Sequence, residues 1–323
     1  MIFRTETEGI SPIKKLDTDS KVLTIGSCFS DTLGDFLLQN KLQCLANPYG
    51  NSYNPVSIAK LLQLTMTKEL TDDGILENNG QYFHFDFHSE ITAKSSTELK
   101  QKLKNKIDET SDFLSKASFL TITLGTAFVY KSLTTKATVN NCHKVPNKLF
   151  TKELLSVHDI TESLGHCIQT LQQFNPDLQI ILTVSPVRHT KDGIINNQLS
   201  KSILRVACAE IIEAYPHVSY FPAYELMMDD LRDYRFYAED LIHVNEVGKK
   251  YILNYFQEIF CTSDLQNWLE KWGKIAQKIN HRAFNNSSPE HQKFLNKLLQ
   301  ELKSLEPSFD VKTEIMHISS QIL

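Results

Sequence analysis

The strongest constraint on the fold is a regular alternation of short apolar runs with longer amphipathic segments. The apolar runs are rich in β-branched and aliphatic residues, as buried strands are, and they cover residues 21–25, 118–124, 179–185 and 217–221. The intervening segments repeat apolar residues at helical spacing, over 97–116, 157–174 and 197–215. Strands that alternate with helices favour a parallel sheet covered on both faces. We therefore predict a three-layer α/β/α sandwich with a mostly parallel sheet.

Turn-forming residues follow the first three of these strands. The strands end at Gly26, at Gly125 and at the dipeptide Ser185-Pro186. Binding and catalytic sites of open α/β sheets lie at the carboxyl ends of the strands. We therefore expect the functional residues of this chain close to these three ends.

Composition excludes several classes of function. The chain has 323 residues, 41% of them apolar, and a net charge of −4, which is ordinary for a soluble globular protein without a basic face for nucleic acid. No window approaches the roughly 20 continuous apolar residues of a membrane span. The first twenty residues contain acids and lysines but no apolar core of a secretory signal. We therefore expect a cytoplasmic protein with neither nucleic acid nor membrane as a partner.

The pattern changes beyond residue 262, where strand signals cease. Residues 265–279 and 289–305 are amphipathic and polar, which predicts a helical C-terminal extension. The expected organisation is a catalytic domain over 1–262 and the helical extension over 263–323. The six cysteines are scattered and form no C-x-x-C pair, so we expect reduced thiols.

The turn Gly26-Ser27-Cys28 lies between the first predicted strand and a predicted helix. Unpaired backbone N–H groups and the helix dipole stabilise negative charge at such a point. A thiol there forms a thiolate more readily, and the same N–H groups can hold an oxyanion. The alternative is a turn of small residues in which Ser27 or Ser30 caps the helix.

A second candidate is Asp240-Leu241-Ile242-His243. A carboxylate three residues before a histidine can fix the imidazole tautomer, so that the other ring nitrogen takes a proton from a nucleophile. The alternative is a surface turn before a helix that begins near Asn245.

Six motifs, taken in order, resemble the GSCFA family of bacterial proteins. They are Gly-Ser-Cys-Phe-Ser at 26–30 and the segments 47–55, 124–130, 141–146, 185–189 and 236–243. That family looks like a branch of the SGNH (GDSL-type) hydrolases, which are flavodoxin-like α/β/α proteins that mostly cleave or transfer acyl esters. The resemblance spans about residues 20–250 and implies the same fold and class of reaction. The first motif departs from the family name in ending with Ser30 rather than alanine.

The resemblance also implies roles for individual residues. The SGNH nucleophile lies two positions after the glycine that ends strand one, and here that position is Cys28. Ser27 stands where those enzymes usually have aspartate, so the nucleophile is Cys28 or Ser27, or the site is not catalytic. The final D-x-x-H block matches at Asp240 and His243.

The resemblance predicts the oxyanion hole less fully. The second block matches at Gly50, whose N–H would donate to the oxyanion. The third block, normally G-x-N-D, matches only at Gly125, because Ala127 replaces the expected asparagine. The remaining candidates for a donor are Thr126, Asn51, Asn54 and the loop at Asn141.

Other polar residues have a functional and a structural interpretation. Asn141 and His143 either line the site or belong to a structured loop. Arg188 either binds a substrate carboxylate or phosphate or forms a surface ion pair. Trp268 and Trp272, four positions apart, predict a packing stripe on a C-terminal helix.

Residues 81–88 alternate strictly and predict a strand. His84, Asp86 and His88 would share one face of it, either as metal ligands or as ordinary polar strand residues. We favour the second interpretation and expect no metal.

The leading hypothesis is an acyl-ester hydrolase or acyltransferase that needs no cofactor. Cys28 or Ser27 would attack the ester, His243 would take the proton, and Asp240 would orient His243. The substrate would be a small-molecule or glycan acyl ester. The alternative is a non-catalytic protein that uses the same pocket to bind a glycan or an acylated ligand. A metal-dependent hydrolase is a third possibility.

Overall fold

The computed structural model describes residues 5–7, 12–282 and 284–323, so the first twenty residues, for which no secretory signal is predicted, lie partly outside it. The helices are α1 Cys28–Gln39, α2 Pro55–Thr67, α3 Ser96–Leu114, α4 Val157–Phe174, α5 Gly193–Ala214, α6 Ala223–Glu225, α7 Glu246–Phe260, α8 Ser263–Ile279, α9 Pro289–Leu305 and α10 Lys312–Ser319. The strands are β1 Lys21–Gly26, β2 Gln43–Ala46, β3 Ile75–Asn78, β4 Gln81–His84, β5 Phe119–Leu124, β6 Phe128–Ser132, β7 Thr138–Val139, β8 Phe150–Leu154, β9 Gln179–Val184 and β10 Val218–Phe221.

The central sheet has the order β10-β9-β5-β1-β2, and all its neighbouring strands are parallel. Numbered along the chain, its strands lie in the order 2-1-3-4-5, which is the flavodoxin-like arrangement. The predicted α/β sandwich and its four core strands are therefore confirmed. Only β2 lacks a sequence signal, because this short edge strand has no fully buried residue.

The two faces of the sheet carry different helices. Leu23 belongs to a buried core packed against α2 to α5, whereas Val22, the preceding residue, belongs to a second core packed against α1 and α7 to α10. This opposition follows from the period of two along a strand. It produces the three layers, with the sheet buried between them.

The strand predicted over residues 81–88 is shorter than expected. It ends at His84 and pairs with β3 in an antiparallel hairpin. The chain then turns, since the Phe87 N–H donates to the His84 carbonyl oxygen at 3.0 Å. Asp86 and His88 therefore lie outside the strand. A small antiparallel sheet in the order β7-β6-β8 was also not predicted.

The C-terminal extension is helical, as predicted, and packs closely on α1. Trp268 and Trp272 are buried and stacked, with ring centroids 5.7 Å apart, which confirms the packing stripe. Their indole N–H groups donate to the carbonyl oxygens of Asn40 and Gln39 at 2.9 and 2.7 Å. These bonds satisfy carbonyl groups that the end of a helix leaves unpaired. The extension thus stabilises the C-terminal end of α1, whereas Cys28 lies at the N-terminal end.

None of the helices in the described ranges combines the length and the apolar character needed to cross a bilayer.

Candidate active site

The turn after β1 requires a glycine. Gly26 has a φ of +141°, and a Cβ atom at this position would lie 2.2 Å from the Thr123 carbonyl oxygen of β5. The next N–H, that of Ser27, donates to the same oxygen at 3.1 Å. The close approach of the two strands therefore fixes the backbone that leads directly into Cys28 and α1.

Replacing Gly26 with alanine should lower the free energy of unfolding by about 3 kcal/mol or more, because it adds both backbone strain and a clash with β5. Gly273→Ala is the matched control, since Gly273 lies inside α8 and an added Cβ would have no neighbour within 4 Å. That change should stabilise the protein by about 0.5–1 kcal/mol. Urea denaturation measures both values, and an equal response of the two variants would contradict the prediction.

The neighbours Ser27 and Cys28 have different surroundings. The Ser27 side chain is buried, with 2% of the residue exposed, and its hydroxyl has no hydrogen-bond partner among the described residues. Ser27 occupies the N-cap position but makes no side-chain cap bond. Cys28 is half-buried and lines an open cavity. The thiol therefore has access to a ligand that the hydroxyl lacks.

This cavity, here called the Cys28 cavity, has a volume of about 460 Å³. It joins the first turn of α1 to the loop that precedes α7, so that Cys28 and His243 line one space although they are far apart in the sequence. The other lining residues are Phe29, Asp31, Thr32, Asp35, Val187, Ala238, Val244, Asn245, Glu246 and Lys249. The C-terminal extension contributes none of these side chains.

Asp240 and His243 form the predicted pair. The Asp240 Oδ2 atom lies 2.6 Å from His243 Nδ1, and Oδ1 accepts hydrogen bonds from the backbone N–H groups of Ile242 and His243. These bonds, chiefly the one from the imidazole, lower the pKa of Asp240 to about 2. A carboxylate can only accept, so Nδ1 carries the proton and Nε2 is the nitrogen left to act as a base.

Arg188 supports the loop that carries this pair. Its guanidinium group lies over the rings of Tyr237 and Tyr234, at 4.0 and 5.0 Å from their centroids, and donates to the Leu241 carbonyl oxygen at 3.4 Å. The guanidinium forms no ion pair with a described residue, and Arg188 does not line the Cys28 cavity. Binding of a substrate anion by Arg188 stays a prediction.

Asn47, which we did not predict as a site residue, connects the elements around the thiol. Its Oδ1 accepts from the Gly26 N–H at 2.9 Å, and its Nδ2 donates to Asp31 at 2.6 Å and to Asn51 Oδ1 at 2.9 Å. The amide of Asn51 is thereby oriented with Nδ2 at 3.8 Å from Cys28 Sγ. The sequence feature that could have indicated Asn47 as a site residue is its position at the start of the second family motif.

Asp31 lies on the wall of the Cys28 cavity one turn beyond the thiol. Burial raises the pKa of Asp31, and the hydrogen bonds from Asn47 and Asn51 oppose that rise. Tyr53, also absent from our predictions, places its hydroxyl oxygen 3.7 Å from Cys28 Sγ. The sequence feature that could have indicated Tyr53 is the same second family motif, 47–55, which contains it.

The Gly50 amide is not available as the expected oxyanion donor. It donates to the Asn47 carbonyl oxygen at 2.8 Å and closes a turn in which Gly50 has a φ of +72°. Asn54 is also occupied, because it caps α2 by accepting from the Ser57 N–H at 2.8 Å. The role of Asn54 in this structure is therefore the stabilisation of a helix end.

Gly125 and Thr126 fix the neighbouring loop. Both backbone N–H groups donate to the Tyr53 carbonyl oxygen, at 2.8 and 2.9 Å. The Thr126 hydroxyl lies 3.1 Å from the hydroxyl of Ser200. These groups position the segment that contacts Cys28, and among the predicted oxyanion donors only Asn51 reaches the sulfur.

Asn141 and His143 lie away from the Cys28 cavity. His143 is buried, with its Nε2 atom 2.9 Å from the His84 carbonyl oxygen and its ring 4.8 Å from that of Phe83. Asn141 accepts from the backbone N–H of His143 at 2.8 Å. The structure thus shows these two residues in a structured loop.

His84, Asp86 and His88 do not form a metal site in the described part of the chain, where no group of three or more potential ligands has metal-binding geometry. His84 is buried, and its Nε2 atom lies 3.2 Å from the Thr71 carbonyl oxygen. Asp86 pairs with Lys60 at 2.7 Å. These contacts satisfy the polar groups of His84 and Asp86.

Two solved structures are similar to this chain at low identity and low TM-score. A carbohydrate esterase of family 3 from Talaromyces cellulolyticus is 9% identical, with a TM-score of 0.37, and the match covers 78% of this chain and 99% of that one. An acetyl esterase mutant with an acetate ion is 11% identical, with a TM-score of 0.36, and the match covers 74% of this chain and 98% of that one. A search of curated proteins gave no match.

Matches to protein families cover most of the sequence. Residues 272–323 match the GSCFA domain protein, C-terminal domain, which corresponds to the helices packed against α1. Residues 21–256 match the GSCFA family, and this range contains the whole central sheet, Cys28 and the Asp240–His243 pair. The chain therefore belongs to the GSCFA family.

Proposed function

We propose that this protein is an acyl-ester hydrolase or acyltransferase with Cys28 as its nucleophile. The observation that carries the proposal is that Cys28 and His243 line one cavity, with His243 already bonded to Asp240. A thiol, a base and a group that orients the base are the parts needed for nucleophilic acyl transfer. The resemblance of the motifs to SGNH hydrolases supports the same reaction.

The reaction divides into two steps. Nε2 of His243 takes the thiol proton as Sγ of Cys28 attacks the ester carbonyl carbon, and the carbonyl electron pair moves onto oxygen. When the tetrahedral intermediate collapses, the alkoxide leaves with the proton from His243 and an acyl thioester remains on Cys28. Water or a second hydroxyl compound then attacks the thioester, with His243 again acting as the base. The S–C bond breaks, the Cys28 sulfur takes back the proton from His243, and the acid or the new ester is released.

Donors for the oxyanion are present beside the sulfur. The first two N–H groups of α1, those of Cys28 and Phe29, have no partner within the helix, and Ser27 does not cap them with its side chain, whereas the Ser30 N–H donates to the Ser27 carbonyl oxygen at 2.7 Å. Asn51 Nδ2, held by Asn47, is the second donor. Preorganised donors of this kind stabilise the charge that develops in the transition state.

Intact mass spectrometry with p-nitrophenyl acetate, butyrate and octanoate tests the proposal. We expect one acyl adduct, mapped to Cys28 after proteolysis at low pH. An adduct on Ser27 would reassign the nucleophile. No adduct with any ester, together with a Cys28 thiol that iodoacetamide alkylates no faster than the buried cysteines, would favour the alternative of a non-catalytic binding protein.

Ser27→Ala should have little effect. The change removes a buried hydroxyl that has no hydrogen-bond partner among the described residues, so no bond is lost. We expect the free energy of unfolding to change by less than about 1 kcal/mol and the rate of adduct formation by less than about threefold. Thermal unfolding and the mass-spectrometric assay measure these quantities. A loss of acylation as large as that of Cys28→Ala would show that Ser27 is the reacting group.

We further propose that residues 263–323 form a structural unit that stabilises α1 without entering the reaction. The lining residues of the Cys28 cavity all lie between positions 28 and 249. The contacts of the extension instead reach the C-terminal end of α1, where Trp268 and Trp272 donate to its carbonyl groups.

A further inference from the structure

Two polar side chains from one loop meet the sulfur of Cys28. Asn51 Nδ2 lies at 3.8 Å and the Tyr53 hydroxyl oxygen at 3.7 Å. The role proposed for Asn51 accounts for the first contact, but the reaction as described above makes no use of the second. A half-buried phenol in contact with the nucleophile is therefore the strongest unassigned feature of the site.

Contacts fix both the backbone and the ring of Tyr53. Its carbonyl oxygen accepts from the N–H groups of Gly125 and Thr126, at 2.8 and 2.9 Å. A larger residue at position 125 would displace the Tyr53 backbone, because an added Cβ would lie 3.1 Å from that carbonyl oxygen. The Tyr53 ring meets the ring of His189 edge to face, with centroids 5.2 Å apart. The hydroxyl is thus presented to Cys28 by a fixed loop.

The protonation of these groups suits a hydrogen-bond donor. Burial, and next the neighbouring Cys28 sulfur, raise the pKa of Tyr53, so the phenol keeps its proton throughout the neutral range. Burial also lowers the pKa of His189 to about 4, and its ring is therefore neutral there. A neutral ring beside Tyr53 carries no positive charge that would favour loss of the phenol proton. Tyr53 consequently has a proton to donate.

We propose that Tyr53 is a catalytic residue that donates its hydroxyl hydrogen bond to the oxyanion formed when Cys28 attacks the acyl carbon. This inference rests on the proposed function. The oxyanion is bonded to the carbon that Sγ attacks, so a donor in contact with Sγ before attack lies close to the oxyanion after it. Tyr53 keeps its proton in this step: the S–C bond forms, the carbonyl electron pair moves onto oxygen, and that pair returns when the C–O bond to the leaving group breaks.

Such a side chain would compensate for a departure from the SGNH pattern. Ala127 replaces the asparagine of the third block, and the Gly50 amide is occupied by the Asn47 carbonyl oxygen. In this site Asn51 and Tyr53, two residues apart on one loop, would supply side-chain donors in their place. The oxyanion hole would therefore depend on the loop after β2 more than on the loop after β5.

Tyr53→Phe tests the role, because it retains the ring packed on His189 and removes only the hydroxyl. Acylation by p-nitrophenyl acetate and alkylation by iodoacetamide are compared at Cys28 by mass spectrometry. Acylation creates an oxyanion, whereas alkylation forms an S–C bond as iodide leaves and creates none. We expect the variant to be acylated about 10²-fold more slowly, the usual effect of losing one oxyanion donor. Alkylation should change by less than about twofold.

Tyr215→Phe is the matched control, since the Tyr215 ring also meets a histidine, His217, edge to face, whereas its hydroxyl accepts from Gln169 Nε2 at 3.2 Å and does not contact Cys28. In this control, the rates of acylation and of alkylation at Cys28 should equal those of the wild type. Equal losses of acylation and alkylation in Tyr53→Phe would overturn the proposal, because Tyr53 would then act on the thiol. Unchanged acylation would also overturn it while leaving the proposed function intact. Absence of acylation in the wild type would overturn both.

Discussion

Cys28→Ala should lower the rate of acylation by p-nitrophenyl acetate by about 10⁴-fold or more, because it removes the atom that forms the covalent intermediate. Cys28→Ser should keep measurable activity, since the hydroxyl occupies the same position in the cavity shared with His243. Stopped-flow detection of p-nitrophenolate measures the rate of acylation, and intact mass spectrometry measures the acyl adduct.

Cys44→Ala provides the control for this pair of variants. Cys44 is also a half-buried thiol, but it lies on the edge strand β2, and burial raises its pKa to about 12. It should therefore contribute neither an adduct nor activity. If Cys44→Ala lowered acylation as much as Cys28→Ala did, or if Cys28→Ala retained full activity, Cys28 would not be the nucleophile.

His243→Ala should lower acylation by about 10²- to 10⁴-fold, the range typical of a general base. Asp240→Asn should have a smaller effect, about 10- to 10²-fold, because the pair is half exposed and water can partly replace the lost charge. Asp233→Asn is the control, since Asp233 is likewise exposed and accepts a hydrogen bond from a nearby backbone N–H, that of Arg235. Its activity should equal that of the wild type.

The dependence of the rate on pH distinguishes the roles of this pair. The pKa of Asp240 is lowered to about 2, so its carboxylate is charged at every pH above about 4 and loses that charge only as the pH falls through 2. A change in the rate at higher pH therefore arises from groups other than Asp240. Asp240→Asn should lower the rate by a similar factor at every pH between about 5 and 8, which stopped-flow measurements over that range test. A loss that varied steeply with pH in that variant would contradict this assignment.

Much of the fold follows from short-range patterns. The runs at 21–25 and 118–124 are strands because they are continuous and β-branched, and each is followed directly by a turn residue, Gly26 or Gly125. The spacing of Asp240 and His243 allows them to pair, because three residues of chain limit how far apart they can lie, but the same spacing also fits a surface turn. The edge strand β2 gave no signal, since it buries no side chain completely.

Long-range contacts decided the rest of the candidate site. Asn47 links Gly26, Asp31 and Asn51 through its side chain, and no spacing rule connects such residues. Tyr53 contacts Cys28 only because two amides after β5 hold its backbone. The Gly50 amide, in contrast, closes a turn within its own loop. Whether an amide is free or bonded depends on the path of that loop, which a motif does not specify.

The sequence by itself determined the four core strands predicted for the central sheet, the glycine turn before α1 and the D-x-x-H spacing, because periodicity and turn chemistry act over a few residues. Only the tertiary structure decided which of the adjacent residues Ser27 and Cys28 faces the cavity. Both are small, and both follow the same glycine. The contact of Gly26 and Ser27 with Thr123 on the neighbouring strand fixes the backbone here. The Ser27 hydroxyl is buried in the interior, and the Cys28 thiol lies in the cavity that His243 also lines.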